Sequence, residues 1–478
     1  MPPHTPHRRR LILATCCLSV LIVSLDNTAL NVALPALRSD FRTGVSGLQW
    51  TVDAYTLVLA TFLMFFGSLA DRIGRRRVFR TGLAVFVAAS LLCSLAPTLD
   101  WLIAARTLQA VGGAMLNPVA MSIITGTFTD PRGRARALGV WSAVLGVSMC
   151  AGPVIGGLAV EVAGWRAIFW INVPVGLAAL TLTALFVPES RAPRPRRVDP
   201  VGQALVMLLL AALTFGIIES PDLGWSDPLI AGSLALSAGA LAGLLCYEPR
   251  RVEPLIDLRF FRSAAFSGAT VIAVAAFAAL NGFLFLNSLY LQETRGFSPL
   301  AAGLATLPLA AMTLLTAPLS GRLTGNRGAR LPLVAAGLSF MAGGVLLALV
   351  AGRTTPLPLL LAGYGAFGAG VGFVNTPISD TAVAGMPRAQ AGVAAAVAST
   401  SRHVGSCLGV AVAGALAGSA GGGSGTGSAW WTTAGCGAAV LLIGLVTTGR
   451  WARRTATRSA ERYREHEPAP GPAARAGN

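Results

Sequence analysis

The sequence predicts an all-α integral membrane protein in which two six-helix bundles flank two inserted helices, fourteen transmembrane helices in all. Three observations carry this reading. Of the 478 residues, 54% are hydrophobic and 12% are charged, about half the ~25% usual in soluble chains. Apolar windows of about 19 residues or more recur along the chain. The cationic residues between them are all arginine, 37 in number, with no lysine. A soluble chain of this length divides into several domains with charged surfaces, and that class is excluded here. The net charge of +17 does not indicate nucleic acid, because the arginines stand in short clusters between apolar runs.

The windows place spans at 11–34, 46–70, 78–97, 100–124, 136–160, 165–187, 201–219, 229–247, 265–290, 299–319, 331–351, 356–380, 391–418 and 429–449. Arg8, Arg9 and Arg10 before the first span imitate a secretory leader. The run is longer than a leader's apolar region and no small-x-small site follows it, so it reads as a retained span. Gly and Ala dilute the ninth and thirteenth spans.

Arginine placement tests the count. With the N-terminus cytoplasmic, thirty arginines fall on the cytoplasmic side. Five (Arg38, Arg42, Arg166, Arg295, Arg353) fall opposite, and Arg106 and Arg402 lie within spans. That asymmetry predicts a multi-pass protein of the cell's inner (plasma) membrane with both termini cytoplasmic. The expected organisation is a cytoplasmic N-terminus (1–10), an N-terminal bundle (11–190), a linker with two additional helices (191–263), a C-terminal bundle (264–450) and a disordered cytoplasmic tail (451–478). Cys16, Cys17, Cys93, Cys150, Cys246, Cys407 and Cys436 all fall in apolar segments without a CxxC pair, and are expected to be free thiols.

A repeat supports two homologous halves. GSLADRIGRRR (67–77) follows span 2 and GRLTGNRGAR (321–330) follows span 10, sharing Gly67/Gly321, Leu69/Leu323, Gly74/Gly328 and Arg76/Arg330. Parallel halves of this kind occur in transporters.

The 67–77 loop resembles the signature loop of the major facilitator superfamily, and four more stretches resemble motifs of its fourteen-span drug:proton antiporters. These are LDNTALNVALP (25–35) in span 1, LIAARTLQAVGGA (102–114) in span 4, GVSMCAGPVIGGL (146–158) in span 5 and WRAIFWINVPVG (165–176) opening span 6. Ala110 departs from the fourth-helix pattern, which has Gly there. The resemblance implies the major facilitator fold and proton-driven efflux of hydrophobic or cationic small molecules, drugs or antibiotics by alternating access.

Ionisable groups inside a span cost a few kcal/mol each, so Asp26, Asp53 and Arg106 are the candidates for proton coupling. At 1.5 Å per residue all three fall in the outer half of the first bundle. Burial favours the neutral acid and a nearby guanidinium favours the carboxylate, so a conformational change that alters either drives proton exchange. The alternative is a structural carboxylate bonded to its neighbours. In the signature loop Gly67, Asp71, Arg72, Gly74 and Arg75 are expected to form a conformational latch, a role resting largely on the resemblance; Arg76 and Arg77 are read as topology-setting only. Gly152, Pro153, Gly156 and Gly157 combine a helix kink with a small-xxx-small face, and by resemblance mark an exporter.

Asn27, Asn31, Trp141, Asn281, Asn287, Tyr290 and Asn375 are candidate cargo contacts, although such a residue alone is more often a helix-helix hydrogen bonder or interface aromatic than a ligand contact. Asp380, Arg402 and His403 are a candidate gate in the second half. The expected partners are a small-molecule substrate, protons and the lipid bilayer, with no nucleic acid, and a monomer is expected. No cofactor or metal is expected: the chain has no GxxxxGK[ST] loop and no HExxH set, which leaves the proton gradient as energy source and argues against an enzyme. The competing readings are a proton-coupled transporter of a nutrient, siderophore or other metabolite, and a non-transporting membrane receptor or scaffold.

Overall fold

The computed structural model describes residues 6–192, 199–251, 254–384, 386, 388–419, 425–449, 451–452 and 454–455. The expected tail at 451–478 lies almost wholly outside them.

The first half is built from α1 (Pro6–Phe41), α2 (Val45–Ile73), α3 (Arg75–Ser94), α4 (Leu99–Thr127), α5 (Pro131–Ala163) and α6 (Ala167–Phe186). The inserted pair is α7 (Pro200–Leu223) and α8 (Pro228–Tyr247). The second half follows with α9 (Ala264–Leu289), α10 (Pro299–Ala305), α11 (Leu307–Arg327), α12 (Arg330–Val350), α13 (Leu357–Val383), α14 (Arg388–Ser419) and α15 (Gly425–Thr447).

Among the described residues, thirteen helices are long and apolar enough to span a membrane, counting α10 and α11 as one. The fourteenth is α14, whose 32 residues suffice in length. Arg402, His403 and its glycines dilute its apolarity, yet it packs between α9, α2 and α7.

Local chemistry sets the starts. Asp130, Asp199, Asp227 and Ser298 each cap a helix through the side chain, and each is followed by a proline. The capping oxygen satisfies a free N–H, and proline sits where its missing N–H is not needed. The helices overrun the apolar windows because backbone hydrogen bonding continues past the point where side chains become polar. One window is broken: the tenth divides at Thr306, beside Pro308. Proline lacks the donor and clashes with the preceding turn.

The halves meet where α2 packs on α14, α5 on α10, and α1 on α9. For reference, the ends of the helices near Arg8, Arg75 and Arg327 form the arginine-rich side, and those near Phe41, Thr98 and Thr294 the arginine-poor side. The largest apolar cluster runs from the arginine-poor part of the first half (Leu34, Leu37, Leu48, Leu102, Phe169) into α9, α13 and α15 of the second. A separate cluster (Ile12, Tyr55, Phe79, Phe86, Ile124) belongs to the first half alone and lies mainly toward the arginine-rich side. The molecule is therefore sealed across the halves on the arginine-poor side.

Polar contacts reinforce the seal. Arg38 pairs with Glu293 at 2.8 Å. The Gln292 amide donates to the Val32 carbonyl at 2.9 Å, and the Leu300 N–H donates to Glu161 at 3.1 Å. Gln49 donates to the carbonyls of Val410 and Ala411 at 3.2 and 2.7 Å.

Candidate functional site

The site is assembled around a fully buried guanidinium. Arg106 on α4 is 0% exposed, and its Nη1 donates to Asp26 Oδ2 of α1 at 2.5 Å. The other Asp26 oxygen, Oδ1, accepts from Gln109 of α4 at 3.0 Å and from Asn172 of α6 at 2.7 Å. Gln109 also accepts from Arg106 Nη1 at 2.7 Å and donates to Ser90 of α3 at 2.8 Å. From α2, the Thr51 carbonyl accepts from Arg106 Nε at 3.4 Å and the Tyr55 ring lies 4.2 Å from the guanidinium carbon. Five helices of the first half are thereby tied to one ion pair.

Both Asp26 oxygens are engaged, and the charge is neutralised where it lies. Gln109 was findable, three residues after Arg106 and therefore on the same helix face. Nothing in the sequence singled out Asn172, Ser90, Thr51 or Tyr55.

Asp53 stands elsewhere. It is 0% exposed, and its Oδ1 accepts from Thr56 at 3.1 Å while Oδ2 has no hydrogen-bond partner. It faces the seam between α2 and α14, where Cys407 adjoins it. The structure thus brings Asp26 and Arg106 together and leaves Asp53 outside their network, at the junction of the halves. Of the two acids, only Asp53 retains an open oxygen.

The signature loop is tied within the first half. Gly74 has φ 122°, a conformation that favours glycine, and turns α2 into α3. Asp71 accepts from Arg75 Nε and Nη2 at 3.0 and 2.8 Å, and Arg75 Nη1 reaches the Ser122 carbonyl of α4 at 3.4 Å. Arg72 is exposed and has no partner among the described residues. Gly67 makes no close approach, since a Cβ there meets only Pro118 at 3.5 Å. Arg76 and Arg77, read from sequence as topology-setting only, also make contacts: the Arg77 guanidinium pairs with Glu189, which follows α6, at 3.7 Å, the backbone N–H of Arg76 donates to the same carboxylate at 3.2 Å, and the Arg76 guanidinium reaches the Ala184 carbonyl. Glu189 was not anticipated.

The span-5 motif forms two close crossings. Gly152 and Gly156 face Thr28 and Ala29 of α1; a Cβ at Gly156 would meet Ala29 Cα at 2.8 Å. On the other face a Cβ at Gly157 would meet the Pro299 carbonyl at 2.5 Å and Leu300 Cα at 2.9 Å, while Gly303 lies against the Pro153 carbonyl. The motif forms the contact between α5 and α10 across the two halves. Gly157→Val should therefore prevent closure of the arginine-poor side. A cysteine-crosslinking pair placed at Arg38 and Glu293 would then fail to bridge, with membrane insertion unchanged.

A small cleft between the halves is lined by Thr28, Asn31, Pro153, Asn287, Ser288 and Thr306, with apolar neighbours. Asn31 Oδ1 is buried there without a partner, and Asn287 accepts from the Tyr364 hydroxyl. The other candidate cargo contacts are placed apart from it. Asn281 bonds Ser406 at 2.8 Å, Tyr290 bonds the Gly352 carbonyl at 2.8 Å and Asn375 bonds the Val371 carbonyl at 3.2 Å. Trp141 is buried in the first half's own cluster, and Asn27 serves through its backbone carbonyl, which accepts from Asn31. The second-half gate is not assembled as a pair: Arg402 donates to Ser379 at 2.6 Å, while the neighbouring Asp380 is exposed.

Comparison with known proteins agrees with the geometry. A family model described as Major Facilitator Superfamily matches residues 16–410. "Multidrug resistance protein Stp" of Mycobacterium tuberculosis is 36% identical over 402 residues, covering 84% of this chain and 74% of its own. "Multidrug efflux pump LfrA" of Mycolicibacterium smegmatis is 35% identical, covering 92% of this chain and 87% of its own. "Tetracenomycin C resistance and export protein" of Streptomyces glaucescens is 35% identical, with 84% and 74% covered. Among solved structures, an inward-facing bacterial homologue of the lysosomal transporter Spinster superposes with a TM-score of 0.62 at 18% identity, covering 97% of this chain and 99% of that one. The nucleoside transporter NupG superposes at 0.66 and 12%, covering 92% and 100%.

Proposed function

We propose that this chain, which belongs to the major facilitator superfamily, exports hydrophobic or cationic small molecules, drugs or antibiotics, in exchange for protons. The arginine-rich side is then cytoplasmic, in line with the thirty-to-five division of arginines, and both termini lie there. The names of the related efflux and resistance proteins support the cargo class. The observation that carries the coupling is Asp53, a buried carboxyl group with one open oxygen at the seam that must part when the halves move.

Asp53 and the Asp26–Arg106 pair divide the work. A charged carboxylate in the closed seam costs a few kcal/mol, so the seam closes most readily around the neutral acid. A proton taken up from the arginine-poor side permits that closure. Its release on the arginine-rich side accompanies cargo uptake. Asp26 and Arg106 lie in helices of one half, so rocking leaves their network whole; it keeps the first half rigid. Cargo binds between the halves, where the small cleft among α1, α5, α9 and α10 widens as they part and Asn31 supplies an open acceptor.

Everted membrane vesicles with an imposed pH gradient test this. With a panel of dyes and antibiotics that includes ethidium, at least one compound should accumulate in acid-loaded vesicles and leave when a potassium/proton exchanger collapses the gradient. A panel wholly indifferent to the gradient contradicts proton exchange.

A further inference from the structure

The inserted helix α7 makes polar contacts at three heights along the seam beside Asp53. Near the arginine-rich end the Gln203 amide donates to the Thr61 carbonyl of α2 at 2.6 Å. Near the arginine-poor end Glu219 accepts from the Trp50 indole of α2 at 2.7 Å. Between them the Thr214 hydroxyl and the Cys407 thiol of α14 stand 3.3 Å apart.

These contacts are unequal. Two strong hydrogen bonds, one to a carboxylate, hold α7 to the first half at both ends. To the second half, against which α7 also packs through apolar side chains, the polar contact is to sulfur, a weak donor and acceptor. Thr214 is 0% and Cys407 2% exposed, and Cys407 also adjoins Asp53. On α14 the charged or titratable groups near this point are Arg402, which bonds Ser379, and His403; on α7 it is Glu219, engaged by Trp50.

Resting on the efflux reading above, we propose that α7 is the moving lipid-side wall of the Asp53 site. It travels with the first half and parts from α14 at the Thr214–Cys407 contact when the arginine-poor side opens, which admits water to the carboxyl group for the proton-uptake step. This gives the inserted pair a function: a bundle without it leaves the α2–α14 seam open to lipid, where a charged carboxylate has no water to meet. Thr214 and Cys407 are positioning residues of that wall.

Cys407 can report the parting without any cargo. In the full chain reconstituted in liposomes, with the other six cysteines replaced by alanine, a methanethiosulfonate reagent should label Cys407. Labelling should slow at least tenfold when Arg38→Cys and Glu293→Cys are bridged to hold the arginine-poor side shut. It should persist when α7 is bridged to α2 through Gln203→Cys and Thr61→Cys. Labelling that is indifferent to the first bridge, or abolished by the second, overturns the proposal. In export assays with ethidium, oxidising Thr214→Cys onto Cys407 should lower the rate at least tenfold and reductant should restore it; equal rates in the two forms overturn the proposal as well. Normal labelling with no export in either form instead counts against the efflux reading alone.

Discussion

Asp53→Asn should abolish gradient-driven accumulation while leaving downhill exchange of cargo intact. Each proton moving down 100 mV supplies about 2.3 kcal/mol, equivalent, for an uncharged cargo exchanged one for one, to a ratio of about 50-fold at ~1.4 kcal/mol per decade; for a monocation the pH gradient alone supplies the drive. Without the exchangeable proton that drive is lost, and the expected ratio falls to about one. Asparagine keeps the size of the side chain and an oxygen for the Thr56 hydroxyl, which now bonds Asp53 at 3.1 Å. The seam should therefore still close, and counterflow of labelled against unlabelled cargo should continue. A variant that accumulates cargo as well as the parent contradicts the assignment. A variant that also loses counterflow shows a packing defect in place of a lost proton.

The second large effect concerns Arg106. Arg106→Ala leaves the Asp26 carboxylate fully buried with only the amides of Gln109 and Asn172 as donors. Removing one member of a buried, hydrogen-bonded pair costs about 3–5 kcal/mol, enough to unfold a marginal protein. Asp26→Asn inverts the problem by leaving the guanidinium uncompensated, with its Nη2 already lacking a partner. Combining Arg106→Ala with Asp26→Asn removes both charges, so the double variant should be more stable than either single one. Thermal unfolding of the detergent-solubilised set reads this directly as a coupling energy. Additive losses would mean that the pair is not the unit holding α1, α4 and α6 together.

Much of this architecture was legible in the sequence. Bilayer thickness fixes the length of an apolar run, and charge asymmetry counts crossings without reference to side-chain contacts, so the fourteen spans and the two halves could be read directly. Depth was legible too: Asp26 and Arg106 were placed at one level, and they meet. Direction around a helix axis was not. Thr51 and Tyr55 face Arg106 from α2. At about 100° per residue, Asp53, two positions from each, is turned about 200° away onto the opposite face. Knowing which face of α2 meets α4 would have separated the two acids. Breaks were also hidden, because the hydropathy of 299–319 is continuous across Thr306. The neutral partners Asn172 and Ser90 carry no signal that distinguishes them from any other polar residue in a span. Likewise Glu189, which holds the signature loop through the Arg76 backbone N–H and the Arg77 guanidinium, reads in sequence as one more charge at a span end.

The account stands on the claim that Asp53 gives up a proton as cargo binds. Its most direct test is the number of protons released when an exported compound is added to the purified, weakly buffered protein near neutral pH. The parent chain should acidify the medium in proportion to the cargo bound, and Asp53→Asn should bind the same compound with no release. Equal release from both proteins would contradict the claim and return the proton to another group.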